Sequence, residues 1–413
     1  MGAVSYFSKS KRLLVNIDFK IRECYHKFMQ ITYLCTSSPE GLRPFELNKD
    51  FFWVPYYLGK KLEAKTKIVY YKPKQFEPLA NTHLGVNFEY LVGKSYKKTI
   101  CKYIRTNALL IDVLMVARYN KLSLKVANIY KRKNKRGYVY MKADSCIKAN
   151  AHFPKKLLKR IVYGVAKSLL GKHLFRNVDL ISFEGSYTFN AVNKQEQRYA
   201  GFSSKIFRGR IVHMPNGYAD DIKKYPKTPS QEKENLLITV GRLGSYPKNT
   251  EMLLSALSIV DLKDWRVALI GPYTEEFKTL YKTTINKKPE LKNRIMLIGN
   301  QNREELYNWY NRAKIFCLTS RYEGYAVVFG EAMPFKNYFI STDVGGAQDA
   351  TNDFTLGAKI TDESTLVESL QKVIDDKNFF TKELYNKLEK HADKFYWGDL
   401  IEVVATRIKN HTP

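Results

Sequence analysis

Cysteine is scarce and scattered in this 413-residue chain: Cys24, Cys35, Cys101, Cys146 and Cys317 are odd in number and form no Cys-x-x-Cys pair. That pattern speaks against a disulfide or zinc framework and for reduced thiols in a cytoplasm. Long apolar runs are lacking as well. The stretch ALLIDVLMVA, residues 108–117, is interrupted by Asp112, and a membrane-spanning helix needs about 18–20 apolar residues. No apolar stretch of the kind a secretory leader carries opens the chain, and Tyr6 stands where a myristoylation motif needs Ser or Thr. There is no Gly-x4-Gly-Lys-Ser/Thr loop for ATP, and no acidic cluster with metal-ligand spacing, so neither a cofactor nor a metal is expected.

Acidic residues are missing from one half only. Residues 1–210 carry 41 Lys and Arg against 13 Asp and Glu, a net of +28, whereas residues 211–413 carry 28 against 27. A basic half joined to a neutral one implies that the first half meets an anionic partner: a membrane surface, a lipid pyrophosphate, an acidic polymer or nucleic acid. Aromatic residues make up 14% of the chain but are dispersed. No nucleic-acid module accompanies the charge, so nucleic acid is not the expected partner.

Two stretches of the first half combine charge with helical periodicity. Residues 7–28 space Leu14, Ile17, Ile21, Tyr25 and Phe28 three or four apart, with Lys11, Arg12, Lys20, Arg22 and Lys27 among them, and residues 154–175 place Leu158, Ile161, Val162, Val165 and Leu169 on one arc and Lys155, Lys156, Lys159, Arg160 and Lys167 on another. Each pattern fits a helix lying on an anionic membrane, or a core-facing helix with a solvated basic face. The cluster Lys131, Arg132, Lys133, Lys135 and Arg136 suits the end of a helix, where cations are favoured.

Apolar β-prone segments alternate with helical ones along the whole chain. ITYLCTS, KIVYY, GYVYMKAD, VDLISF, LLITV, WRVALIG, RIMLIGN, AKIFCLT and YFIST read as strands separated by helices, which argues for parallel, doubly wound sheets. In such sheets ligands bind beyond the carboxyl ends of the strands, where helix N-termini offer free N–H groups to anions.

Two of these strand ends carry chemistry. In LLITVGRLGSYPKN the buried strand runs into Gly241 and Arg242 and returns through Lys248, so a planar guanidinium and a mobile ammonium can converge on one anion. In SRYEGYAVVFGEAM a strand ends before Glu323, a helix opens after Tyr325, and Glu331 is expected about two turns into it. A polyhydroxyl or phosphorylated ligand would then lie between two carboxylates. Asp144, at the end of GYVYMKAD, occupies a similar mouth.

The Glu-x7-Glu spacing, with S-R-x-E-G before it and D-V-G-G beyond, resembles the signature of retaining glycosyltransferases of the GT-B architecture, family four (the glycosyl transferases group 1 type). The resemblance implies two Rossmann-like doubly wound α/β domains facing a central cleft. It covers nearly the whole second half, and in the first half only the β/α order. By this likeness Glu323 would lie at the donor sugar and Glu331 at the ribose hydroxyls of a UDP- or GDP-sugar. Gly241, Arg242 and Lys248 would hold its pyrophosphate, backbone near Asn300 its base, and Gly324, Tyr325, Ala326 and Val327 the sugar and diphosphate; Asp144 would stand near the sugar. The chain departs from the family at Pro334, Lys336 and Tyr338, which concerns where the helix after Glu323 ends.

The implied organisation is a basic amphipathic extension over residues 1–30, an acceptor-binding domain over 31–213, a donor-binding domain over 214–395, and a closing helix over 396–413 that crosses back to the first domain. The implied activity is metal-independent sugar transfer with retention. Its acceptor is expected to be a glycan or polyprenyl-pyrophosphate-linked glycan of bacterial surface polysaccharide synthesis, met by a cytoplasmic enzyme peripherally attached to the inner face of the membrane. Two other readings stay open: a basic nucleic-acid-binding protein, and a protein of this shape that binds without turnover.

Overall fold

The chain winds α and β elements alternately into two sheets. The computed structural model describes residues 28–73, 77–118, 120–143, 175–194, 207 and 209–411. Asp144 and nearly all of the two basic amphipathic stretches, residues 7–27 and 154–174, lie outside the described residues.

The first sheet draws on β1 (Gln30–Leu34), β2 (Lys65–Tyr71), β3 (Thr82–His83), β4 (Val86–Leu91), β5 (Val113–Ala117), β6 (Tyr138–Ala143), β7 (Leu180–Phe183) and β8 (Ile211–His213), in the order β3-β4-β2-β1-β5-β6-β7-β8. The pairs β1–β2, β1–β5, β2–β4 and β7–β8 are parallel. The exception is at the edge, where β3 pairs antiparallel with β4 through a turn that holds Leu84 and Gly85 at positive φ. Helices α1 (Asp50–Lys61), α2 (Tyr96–Asn107) and α3 (Lys121–Lys133) connect these strands. Asn120 caps α3 by accepting from the Ser123 N–H, and the last turn carries Lys131, Arg132 and Lys133, which complements the negative end of the helix dipole. Lys131 also pairs with Asp179 at 2.6 Å.

The second sheet is parallel throughout its pairings and is ordered β11-β10-β9-β12-β13-β14, from β9 (Glu234–Val240), β10 (Arg266–Ile270), β11 (Ile295–Gly299), β12 (Ala313–Leu318), β13 (Tyr338–Thr342) and β14 (Gly357–Ile360). Strand order reverses between β9 and β12, so their carboxyl ends flank the topological switch point. The connecting helices are α4 (Ser186–Asn193, after β7), α5 (Thr250–Leu257), α6 (Glu275–Lys287), α7 (Arg303–Arg312), α8 (Val327–Ala332), α9 (Ala347–Thr351), α10 (Glu363–Asp375), α11 (Lys382–Ala392) and α12 (Glu402–Lys409). Capping is chemically orthodox: Asn302 and Glu305 form a reciprocal box at α7, and Thr274 accepts from Phe277 N–H at α6.

Two apolar layers sandwich this sheet. One gathers Leu236, Ile238, Tyr310, Phe316, Phe329 and Phe339; the other gathers Leu237, Leu254, Trp265, Leu269, Ile315 and Ile340. Consecutive residues Leu236, Leu237 and Ile238 thus alternate between layers, as strand geometry requires. By compactness the chain groups into one unit of residues up to Met141 with Asn177–Asp179 and those from Ala405, and a second of the residues between.

Among the described residues no helix is long and apolar enough to cross a membrane. Cys35, Cys101 and Cys317 are buried and unbonded.

Candidate active site

The carboxyl end of β9 is continued by Gly241, whose N–H donates to Ile270 O at 3.0 Å. The neighbouring strand ends at Gly271, held at φ +122°, and a Cβ there would stand 2.0 Å from Gly241 O. Only glycine allows these two strand ends to approach so closely. Beyond Gly241 the chain turns tightly: the Ser245 N–H and hydroxyl both donate to Arg242 O, at 3.2 and 2.7 Å, and Lys248 N–H donates to Ser245 O at 2.9 Å. The turn leaves Arg242 exposed. It brings the stem of Lys248 back over Gly241, where a Cβ would meet Lys248 Cε at 3.4 Å.

Lys248 Nζ then reaches Glu323 Oε1 at 2.6 Å, with the two side chains 16% and 15% exposed. Ser320 Oγ donates to the same oxygen at 2.7 Å. The two loops are fastened together: Thr319 Oγ1 donates to Lys248 O and Asn249 O at 3.2 and 3.0 Å, and Arg321 N–H donates to Pro247 O at 2.8 Å. The Arg321 guanidinium bonds Tyr246 O at 2.6 Å and Glu251 at 3.0 Å, and lies 4.5 Å from the Tyr246 ring centroid. Charge-assisted bonds of this kind are short and strong, and here they give both charged side chains a fixed base.

Past Glu323 the chain runs under the turn that follows β13. A Cβ on Gly345 would stand 1.9 Å from Gly324 O, and Ala326 N–H donates to Gly345 O at 3.0 Å. Gly324 is exposed, whereas Tyr325 and Ala326 are buried. Among the described residues the buried Tyr325 hydroxyl has no hydrogen-bond partner; burial, followed by the charge of Asp349, pushes it far above the usual phenol range. Its side chain is an anchor within the fold, so only its backbone can face a ligand.

Glu331 lies less deep in its helix than the sequence pattern predicts. Helix α8 begins at Val327 and ends at Ala332, and a 3-10 turn over Met333–Phe335 is closed by Lys336 at φ +58°. Glu331 is therefore little more than one turn in. Tyr310 donates to its Oε2 at 3.1 Å, and burial together with the Glu331 charge raises the Tyr310 phenol well above its ordinary value. Asn300 is exposed just beyond Gly299 at the end of β11.

A second constellation went unnoticed in the sequence. Lys142 at the end of β6, 1% exposed, pairs with Glu184 just after β7 and donates to Asn216 Oδ1 at 3.1 Å. His213 Nε2 lies 3.2 Å from Asp349 Oδ1, while Asp349 Oδ2 accepts from Ser186 N–H at 3.0 Å at the start of α4. Beside them Gly185–Thr188, Gly324 and the turn of Asp343–Gly346 line a small open cleft. The signal was available: Lys142, Glu184 and Asn216 all sit at or just past carboxyl ends of strands, the rule that singled out Glu323. Among the described residues no three His, Cys, Asp or Glu side chains gather as a metal site would.

Two Rossmann-like parallel sheets with cationic and acidic side chains at the switch point of the second are the architecture of GT-B glycosyltransferases. Residues 220–395, less than half of the chain, match the family described as glycosyl transferases group 1, and the match supports a glycosyltransferase of that type. An alpha-1,4-N-acetyl-D-galactosaminyltransferase of Campylobacter jejuni, named for an undecaprenol-PP-linked acceptor, is 29% identical over 208 residues, 47% of this chain and 54% of that protein. The amylovoran biosynthesis glycosyltransferase AmsD of Erwinia amylovora is 31% identical over 106 residues, 26% of this chain and 28% of its own. The matched segments thus span about half or less of these curated relatives. The structure of Anabaena Alr3699/HepE in complex with UDP and glucose superposes with a TM-score of 0.63 at 17% identity, over 92% of this chain and 100% of that one.

Proposed function

We propose that the chain transfers a sugar, with retention and without a metal, from a UDP- or GDP-sugar to a glycan carried on a polyprenyl pyrophosphate. In this reading residues 214–395 receive the donor and residues 31–213 the acceptor. The observation that supports it most is the joining of Lys248 to Glu323 beside Arg242 at the switch point of the second sheet. A sugar diphosphate needs cations for its phosphates and a carboxylate for its hydroxyls within one ligand length.

In sugar transfer, negative charge grows on the leaving diphosphate. Arg242 and Lys248 would stabilise it electrostatically, the service a divalent cation gives in other architectures. Glu323 would orient the sugar and Glu331 the ribose, with Asn300 near the base. The lipid-linked acceptor is suggested by the name of the Campylobacter relative, and surface polysaccharide synthesis by that of the Erwinia relative. The +28 first half suits an enzyme working on an anionic inner leaflet, where each basic contact contributes about 1 kcal/mol.

A thermal-shift screen over UDP, GDP and their sugars tests the donor class. A ligand at 100 times its Kd raises stability by about 2.7 kcal/mol. The reading expects one base to be preferred; no response to any of them counts against it.

A further inference from the structure

We infer that Glu323 is a specificity-determining residue that makes the site favour a sugar-bearing nucleoside diphosphate over the free nucleoside diphosphate. This inference rests on the donor reading above and concerns the same site. Glu323 uses only one of its carboxylate oxygens within the protein: Oε1 takes both the Lys248 ammonium at 2.6 Å and the Ser320 hydroxyl at 2.7 Å. Among the described residues no protein group donates to Oε2.

The two oxygens then have opposite effects on two ligands. A phosphate brought to Lys248 meets an ammonium whose charge is already matched by Oε1. That carboxylate cannot retreat easily, because Thr319 and Arg321 tie its loop to the backbone of Pro247, Lys248 and Asn249. Like charges in so little-exposed a place repel, and the repulsion weakens every diphosphate. A sugar on that diphosphate can donate a hydroxyl to Oε2, and hydrogen bonds to a charged acceptor exceed neutral ones in strength. Only the sugar-bearing ligand recovers the loss. The free diphosphate, which is the product once the sugar has moved, leaves more readily.

The test is calorimetry of wild type and Glu323→Gln with two pairs of probes, UDP with UDP-glucose and GDP with GDP-mannose. For the preferred base, Glu323→Gln should bind the free diphosphate about 10-fold tighter, equivalent to about 1.4 kcal/mol. The sugar-bearing partner should gain clearly less. Ser320→Ala removes a neutral donor and leaves the charge, so its ratio of affinities should match wild type. Adding Lys248→Met to Glu323→Gln should abolish the gain. If Glu323→Gln does not fold, Glu323→Ala carries the same expectation. Diphosphate affinity that is unchanged or lower in the Glu323 variant overturns the inference while leaving the donor reading in place. Wild type that binds none of the four probes overturns the donor reading, and the inference with it.

Discussion

Tyr310 and Glu331 meet at 3.1 Å, a phenol from α7 donating to a carboxylate of α8. The bond fixes Glu331 from the side of the core, since Tyr310 is fully buried. Tyr310→Phe removes one hydrogen bond, worth about 0.5–1.5 kcal/mol, and should weaken nucleoside diphosphate binding a few fold. Glu331→Gln, which removes the charge itself, should weaken it more. Equal affinity in wild type and both variants would show that Glu331 does not touch the nucleotide.

Arg242 and Lys248 are expected to act on the diphosphate together. Each charge-assisted bond is worth roughly 1.5–3 kcal/mol, so Arg242→Ala or Lys248→Ala should cost about 10- to 150-fold in nucleotide affinity. Calorimetry of the two single variants measures this, and unchanged affinity in both contradicts the assignment. Arg242 is exposed and Lys248 is not, so the loss in Arg242→Ala should shrink more steeply with added salt.

The turn after β13 bears on the site through packing. A Cβ on Gly345 would stand 1.9 Å from Gly324 O and 2.7 Å from Glu323 O, both backbone atoms. Gly345→Ala must push the Glu323 loop aside. Overpacking of this kind costs about 1–3 kcal/mol, and a lowered thermal midpoint with reduced turnover is the expected pair of effects. A variant with wild-type midpoint and turnover would show that the turn yields freely.

Lys233 supplies a pH dependence. Its ammonium donates to Tyr310 O, Asn311 O and Ala313 O, and burial pulls its pKa down to about 7. Above pH 7 the folded chain gives up a proton that the unfolded chain keeps until about pH 10.4. Stability from this group therefore rises with pH across that window, by at most about 1.4 kcal/mol per unit. Urea midpoints of wild type relative to Lys233→Met should increase between pH 6 and pH 9. A difference that stays flat would mean that the three carbonyls keep the ammonium charged.

Much of the second sheet was legible because its signals are local. Buried runs such as Leu236–Val240 read as strands, and α10, Glu363–Asp375, opens on the local capping signal of Asp362, which accepts from the Thr365 N–H. Pairing at a distance was not legible. Lys142 and Glu184 are 42 residues apart, and neither looks unusual until β6 and β7 lie in one sheet. The two-residue strand β3 is too short to carry an alternation, so its antiparallel pairing was missed. The depth of Glu331 was misjudged because Ala326, which resembles a helical residue, is instead an extended cap at φ −73°, ψ 106°.

Membrane attachment has a direct check in vesicle sedimentation. Binding should increase with anionic lipid and weaken with salt. A variant with glutamate at Lys155, Lys156, Lys159 and Arg160 should bind less if residues 154–175 make the contact. Wild type that stays in the supernatant with anionic vesicles at low salt contradicts autonomous docking, and tighter binding to RNA than to vesicles would favour the nucleic-acid reading.

Sugar transfer itself is the central claim, and product analysis tests it most directly. Wild type would be incubated with a panel of α-linked UDP- and GDP-sugars and polyprenyl-pyrophosphate glycans in anionic vesicles. Released nucleoside diphosphate would be followed, and the new linkage read by NMR. The account predicts that one donor is consumed, that the product linkage is α, and that Lys248→Ala slows the release. A β-linked product would contradict retention, and a panel in which no donor is consumed above the Lys248→Ala background would contradict the claim of transfer.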